Sequence, residues 1–143
     1  MNKQETINIM QNGSRGEKLA YLNDLDTIFD TYNRNVANSD EVIDTLINFA
    51  LISEDDEITD ELLEVICSAQ GTQDLRKVDY SKIVNNINRV PEKFLPRYID
   101  ILSYTYDTQY LPVILSFKSH KDKDVQQAVK DALIELRASD MRL

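Results

Sequence analysis

The feature that most constrains the fold is the spacing of apolar side chains, which recur three and four residues apart along most of the chain. That spacing places them on one face of an α-helix, where they can be buried together. No segment alternates apolar and polar residues for long enough, between turn signals, to form a β-strand. The pattern therefore predicts an all-α fold of about seven helices joined by short loops. The clearest apolar faces are Leu19, Leu22, Leu25, Ile28 and Phe29, then Val42, Ile43, Leu46, Ile47 and Ala50, and finally Val125, Ala128, Val129, Ala132, Leu133 and Leu136.

Turn and capping residues set the limits of these helices. Asn38, with Glu41 three residues later, fits a reciprocal N-terminal cap, and Thr59 is the predicted N-cap of the following helix. Residues 1–14 carry a weak pattern and are predicted to be a flexible N-terminal segment of a single helical domain spanning 1–143. The predicted helices cover about 15–33, 38–51 (beginning at Asn38 or Ser39), 59–71, 79–90 (beginning at Asp79 or Ser81), 91–106, 108–117 and 122–137.

Size and composition exclude several classes of protein. A chain of 143 residues forms one domain and buries enough surface to fold without a disulfide or a metal. With 42% hydrophobic and 29% charged residues, it is too apolar to be disordered and too polar to be a membrane protein. The N-terminus lacks the apolar stretch of a secretory signal, and the apolar-rich segment 46–52 is too short to span a bilayer. We therefore expect a cytoplasmic protein that does not contact a membrane.

Few residues are suited to catalysis or metal binding. His120 is the only histidine, which excludes a two-histidine zinc site, and no glycine-rich phosphate-binding motif is present. The only cysteine, Cys67, lies in mid-helix and is expected to be a core residue, whereas His120 is expected to lie in a solvated loop. The acidic run 54–57 lacks the spaced ligands of a calcium loop. We expect no enzyme activity, cofactor or metal; the remaining enzyme hypothesis is a hydrolase or transferase that uses Cys67 or acidic residues.

The acidic residues are concentrated in one part of the chain. The chain has 25 acidic and 16 basic side chains, and residues 35–75 contain eleven of the acidic ones and none of the basic ones. This segment therefore has a net charge of −11, whereas the whole chain has a net charge of −9. One interpretation is a solvated face, because acidic residues favour helix N-termini and charge keeps a protein soluble. The other is a docking surface for a basic protein, since such a field steers a cationic partner. Nucleic acid is not expected to bind directly, because phosphate binding requires a basic surface.

The docking interpretation predicts a set of contact residues. Tyr104 and Tyr106 lie near a predicted helix end and are expected to be exposed interface anchors, whereas Tyr98 is expected in the core. Core and capping roles for these tyrosines and for Tyr110 are the alternative. The acidic residues predicted to contact a partner are Asp40, Asp44, Glu54, Asp55, Asp56, Glu57, Asp60, Glu61 and Glu64.

The last third of the chain resembles a HEAT repeat. Residues 110–115 include Pro112, as in the first helix of that repeat, and 121–136 follow with an Asp124-Val125 start and an Ala…Ala-Leu…Leu face. The resemblance is clearest over 108–138, extends in degraded form across 94–137, and departs at Gln126, where the family usually has arginine. It implies a short HEAT-like α-solenoid of antiparallel helix pairs whose surface binds other proteins.

A small, acidic, single-domain helical chain with such a degenerate repeat also resembles the immunity proteins of bacterial contact-dependent growth inhibition and related polymorphic toxin systems. This resemblance implies a cognate protein toxin as partner, such as a basic nuclease domain, whose active or substrate-binding site would be occluded. The alternative is a HEAT-like adaptor or assembly factor that uses the concave face and the tyrosines. The sequence does not determine the oligomeric state.

Overall fold

The computed structural model describes residues 1–31 and 34–141, and within these ranges it contains eight α-helices and no strand. The predicted all-α class is confirmed, and the additional helix lies at the N-terminus. Two short 3₁₀ segments, Glu92–Phe94 and Thr108–Tyr110, lead into later helices. The helices are α1 (Lys3–Asn12), α2 (Arg15–Thr31), α3 (Ser39–Ile52), α4 (Asp56–Thr72), α5 (Ser81–Asn86), α6 (Leu95–Ser103), α7 (Leu111–Leu115) and α8 (Lys123–Met141).

The chain divides into two compact units, Met1–Lys82 and Ile83–Leu143. The sequence predicted one helical domain over 1–143, and periodicity alone does not indicate this division. In the first unit α4 packs against both α2 and α3, and α1 lies against α3 and, with a smaller contact, against α2. Each large apolar side chain removed from water contributes about 1.5–3 kcal/mol to folding. The fully buried side chains of this core include Leu22, Phe29, Val42, Ile43, Leu46, Ile47, Leu62, Leu63 and Ile66.

The N-terminal segment is a helix rather than the predicted flexible segment. The Asn2 side chain caps α1 by accepting a hydrogen bond from the Glu5 N–H at 2.8 Å. Thr6 and Met10 are buried, and the Thr6 and Tyr21 hydroxyls are 2.6 Å apart. The apolar pattern is weak because only two positions of α1 face the core. The capping pair Asn2 and Glu5, three residues apart, is the signal that sequence reasoning missed.

Asn38 occupies the N-cap position of α3 as predicted, but the reciprocal cap is wrong, and so is the predicted N-cap Thr59. Asn38 has φ 66° and its side chain makes no capping hydrogen bond, so the reciprocal cap with Glu41 does not form. Asparagine enters this left-handed region more readily than most residues. The next helix begins before Thr59, because Asp55 caps α4 by accepting hydrogen bonds from two backbone N–H groups. Thr59 is buried, and its hydroxyl donates to the Asp55 carbonyl at 3.0 Å.

In the second unit α8 packs chiefly against α6 and makes a smaller contact with α7. The predicted α8 face is confirmed from Val125 to Leu136, with Leu133 half-buried. The HEAT resemblance implies α7 as the main partner of α8. The five-residue α7, which begins beside Pro112, is too short to cover that face, and α6 covers more of it.

His120 is a structural residue of the connection between α7 and α8, not the solvated loop residue that was expected. Its ring is half-buried, and Nδ1 accepts the Asp122 N–H at 3.0 Å. The His120 carbonyl accepts a hydrogen bond from the Gln126 side chain. Asp122 in turn accepts the Asp124 and Val125 N–H groups at 2.8 and 3.2 Å. The connection is therefore fixed by side-chain caps at the start of α8.

Candidate partner-binding surface

Residues 53–55 connect α3 to α4, and together with the first two residues of α4 they form the acidic loop 53–57. A cation from outside the acidic segment 35–75 pairs with this loop. Arg15, the first residue of α2, places Nε 2.7 Å from Asp55 Oδ2 and Nη2 3.1 Å from Glu57 Oε1. The Arg15 hydrogen bond, reinforced by the capped backbone, lowers the pKa of Asp55. Two of the predicted contact carboxylates are thus partly neutralised within the chain. Their positions are fixed before any partner arrives.

Glu54 and Ile52 occupy the outer side of this loop. Ile52 is 72% exposed, although it ends a helix whose other apolar residues are mostly buried. Glu54 is exposed and makes no ion pair with the side chains that the structure describes. Beside them lies a hollow with apolar and polar side chains, formed by residues of α1, α2, α3, α4 and the α3–α4 connection. Its lining residues are Met10, Gln11, Lys18, Phe49, Ile52, Ser53, Glu54, Asp55, Ile58 and Leu62.

A second group of carboxylates continues from the acidic loop along α4. Residues 57, 61 and 64 lie on one helix face because they are spaced by four and three positions. Desolvation raises the pKa of Glu61, with further contributions from neighbouring carboxylates that include Asp60 and Asp26. Asp26 belongs to α2, and its Oδ1 accepts the Ser68 hydroxyl at 2.6 Å. Like charges from two packed helices therefore repel one another here, and an approaching cation would relieve that repulsion.

Asp40 lies in the first turn of α3, about 20 Å of helix from the acidic loop, and Asp44 lies one turn later, about 14 Å from it. Lys82 Nζ is 3.0 Å from Asp44 Oδ2, and Asp44 also accepts the Asp79 N–H at 3.0 Å. Asp40 lines a small polar hollow together with both acidic and basic side chains. The structure therefore brings 54–64 together and leaves these two residues in a separate, mixed-charge environment.

The tyrosines belong to the second unit. Tyr104 is 39% exposed and Tyr106 is 45% exposed, which confirms their predicted exposure. Tyr98 is buried as predicted, and burial raises its pKa to about 12. The Tyr106 hydroxyl lies 3.3 Å from Glu135 Oε2, and its backbone adopts φ 55°. Tyr110 is half-buried.

Sequence reasoning did not identify Ile52, the hollow or Arg15 as parts of this surface. One signal was available for Ile52, which falls outside the α3 face formed by residues 42, 43, 46, 47 and 50. An apolar residue outside the buried face is either covered by another element or exposed, and only the tertiary fold decides between them. The pairing of Arg15 with residues forty positions away likewise depends on tertiary packing.

The described residues contain no group of three or more His, Cys, Asp or Glu side chains arranged to hold a metal ion. Cys67 is half-buried in α4. Within the same ranges, every helix is too short or too polar to cross a membrane. No family model, curated protein or solved structure matches this chain.

Proposed function

We propose that this chain is a cytoplasmic immunity protein that binds and neutralises a cognate protein toxin, such as a basic nuclease domain. The observation that carries the proposal is the position of exposed Ile52, at the edge of a hollow, beside the acidic loop. Protein interfaces commonly combine an apolar anchor with a polar rim. Here the rim is acidic, so the matching partner surface is basic with an apolar side chain at its centre.

The proposed mechanism is occlusion without chemistry. The carboxylates of 54–64 steer a cationic surface and raise its rate of association, by about ten- to a thousandfold in comparable systems. Because Arg15 already fixes Asp55 and Glu57, less side-chain freedom is lost when the complex forms. A nuclease held in this way would have its phosphate-binding surface covered by carboxylates. The proposal assigns no catalytic residue and no cofactor to this chain.

The test begins with recovery of the partner on the tagged full-length chain, followed by purification of the recovered protein and assay of its activity. We expect stoichiometric addition of the chain to abolish that activity, and Glu54→Lys to weaken affinity at least about tenfold. Asp24→Lys is a matched control, because it makes the same change of charge at an exposed α2 carboxylate outside the surface. Equal affinities for wild type and Glu54→Lys, with unchanged salt dependence, would contradict the proposal.

A second candidate function is an adaptor or assembly factor, favoured by the exposure of Tyr104 and Tyr106 in the second unit. Exposed tyrosines are frequent anchors of protein interfaces. In that case the recovered partner would belong to a larger assembly and would have no toxic activity. Tyr104→Ala would then weaken binding more than Glu54→Lys does, which reverses the order expected for the immunity protein.

A further inference from the structure

A second apolar surface lies in the second unit, in a groove between α7 and α8. Leu115, one of its lining residues, is 42% exposed. Lys118 and Arg137 complete the lining, and neither makes an ion pair with a side chain that the structure describes. The groove therefore combines an apolar floor with two cations that make no ion pair among the described side chains. Its lining residues are Leu111, Leu115, Lys118, Leu133, Leu136 and Arg137.

The chain itself carries a surface of complementary chemistry. Ile52 projects from the end of α3, and the unpaired carboxylate of Glu54 follows two residues later. An apolar side chain beside a carboxylate matches an apolar groove beside ammonium and guanidinium groups. The net charges of the two units are also opposite in sign, since Met1–Lys82 carries −10 and Ile83–Leu143 carries +1.

We propose that the groove of one copy binds Ile52 and Glu54 of a second copy, so that the protein associates weakly with itself. The proposed contact is head-to-tail, with the groove of one copy on Ile52 and Glu54 of the next, and a dimer of this kind leaves one surface of each kind open. Both surfaces are small, which places the contact among weak, transient interfaces. The net charge of −9 on every copy opposes further growth.

This inference does not rest on the proposed immunity function. If both hold, a second copy and the toxin compete for the same acidic loop, and a tightly binding toxin would dissociate the self-associated form. Failure of one proposal leaves the other intact, because self-association is measured on the purified chain alone.

The experiment is sedimentation velocity of the full-length chain at concentrations from about 10 μM to about 1 mM, the range in which weak contacts form. We expect the weight-average mass to rise with concentration for wild type. Ile52→Glu and Leu115→Glu should each remain monomeric, because each loses one of the two surfaces. Their equimolar mixture should form a dimer and stop there, since only one intact surface of each kind remains.

Two further variants separate this contact from general effects of charge or folding. Tyr104→Glu places the same charge at another exposed position of the second unit and should associate like wild type. Glu54→Lys and Lys118→Glu should each weaken association at least about fivefold, and the double variant should restore it. Circular dichroism checks that every variant is folded.

Each remaining outcome overturns the proposal. A wild-type chain that stays monomeric over the whole concentration range would show that the groove does not bind a second copy. A mixture of Ile52→Glu and Leu115→Glu that stays monomeric, while wild type associates, would indicate a symmetric contact between identical surfaces. Undiminished association of Leu115→Glu would show that the groove is not involved.

Discussion

The two units differ more at their surfaces than in their cores. The first unit has seventeen acidic and seven basic residues, whereas the second has eight acidic and nine basic. Both bury leucine, isoleucine and valine from facing helices. In the first unit the side chains of Asn2 and Asp55 cap α1 and α4, whereas in the second unit the short helices α6 and α7 are entered through 3₁₀ turns and the 19-residue α8 packs on them. The two units therefore bury the same kinds of side chain and differ in the charge that they expose.

The largest expected effect tests whether the cores are indeed equivalent. Leu46 in α3 and Leu102 in α6 are both completely buried. We expect Leu46→Ala and Leu102→Ala each to lower the free energy of unfolding by about 2–5 kcal/mol, because each removes buried methyl groups and leaves a cavity. Urea unfolding followed by circular dichroism measures both, with Ile134→Ala at an exposed site as the control. A loss below about 1 kcal/mol at either position would show that its unit is loosely packed.

A smaller effect concerns a carboxylate of the second unit. Burial is the main reason that the pKa of Asp100 rises to about 6, with opposition from Arg97 and a further contribution from Asp131. The folded pKa lies above the unfolded one, so ionised Asp100 destabilises the fold above about pH 6 and this cost disappears as the pH falls toward the unfolded pKa, about 3.9. We expect Asp100→Asn to stabilise the protein by about 1 kcal/mol at pH 7.5, since partial exposure reduces the full effect.

Urea unfolding at several pH values between 4 and 8 checks this prediction. The difference between Asp100→Asn and wild type should shrink steadily as the pH is lowered through 6. Asp24→Asn, at an exposed site on α2, is the control because Asp24 does not contribute to the pKa of Asp100, and it should give a smaller difference. A gain for Asp100→Asn that is the same at every pH would assign the effect to packing instead of ionisation.

The smallest effect has the opposite pH dependence and belongs to the first unit. The pKa of Asp55 is lowered, so its stabilising interaction with Arg15 is present above the unfolded pKa and is lost as the pH falls through the folded one. Asp55→Asn keeps a capping oxygen and loses only the charge. We expect a slightly lower urea midpoint at pH 7 and no difference from wild type in strong acid. Arg15→Gln should reproduce this profile, and a pH-independent difference would contradict the assignment.

Periodicity predicted α2, α3 and α8 because each buries one continuous apolar face, and such a face is visible in the sequence. It missed α1, where only Thr6 and Met10 are buried. It placed the start of α4 too late because Asp55 and Thr59 both have capping chemistry. Arg15, which binds Asp55, reaches it only through tertiary packing.

The candidate surface could be predicted only as a segment of the chain. The sequence showed where acidic residues accumulate, but a linear segment does not indicate which of them share a face. Two basic residues from outside the acidic segment 35–75 pair with carboxylates inside it. Lys82 pairs with Asp44, and Arg15 pairs with Asp55 and Glu57. The exposure of Ile52 depends on which parts of α3 the neighbouring helices cover.

The crowded carboxylates of α4 have a consequence for calorimetry. The pKa of Glu61 is raised by desolvation and by its neighbours, so it retains a proton more readily than an isolated glutamate does. A cationic partner on this face would favour the ionised form and release that proton to the buffer. At a pH where Glu61 is partly protonated, the heat of binding would therefore vary with the ionisation enthalpy of the buffer. Titrations in two buffers of equal pH would then detect engagement of this face in the unmodified protein.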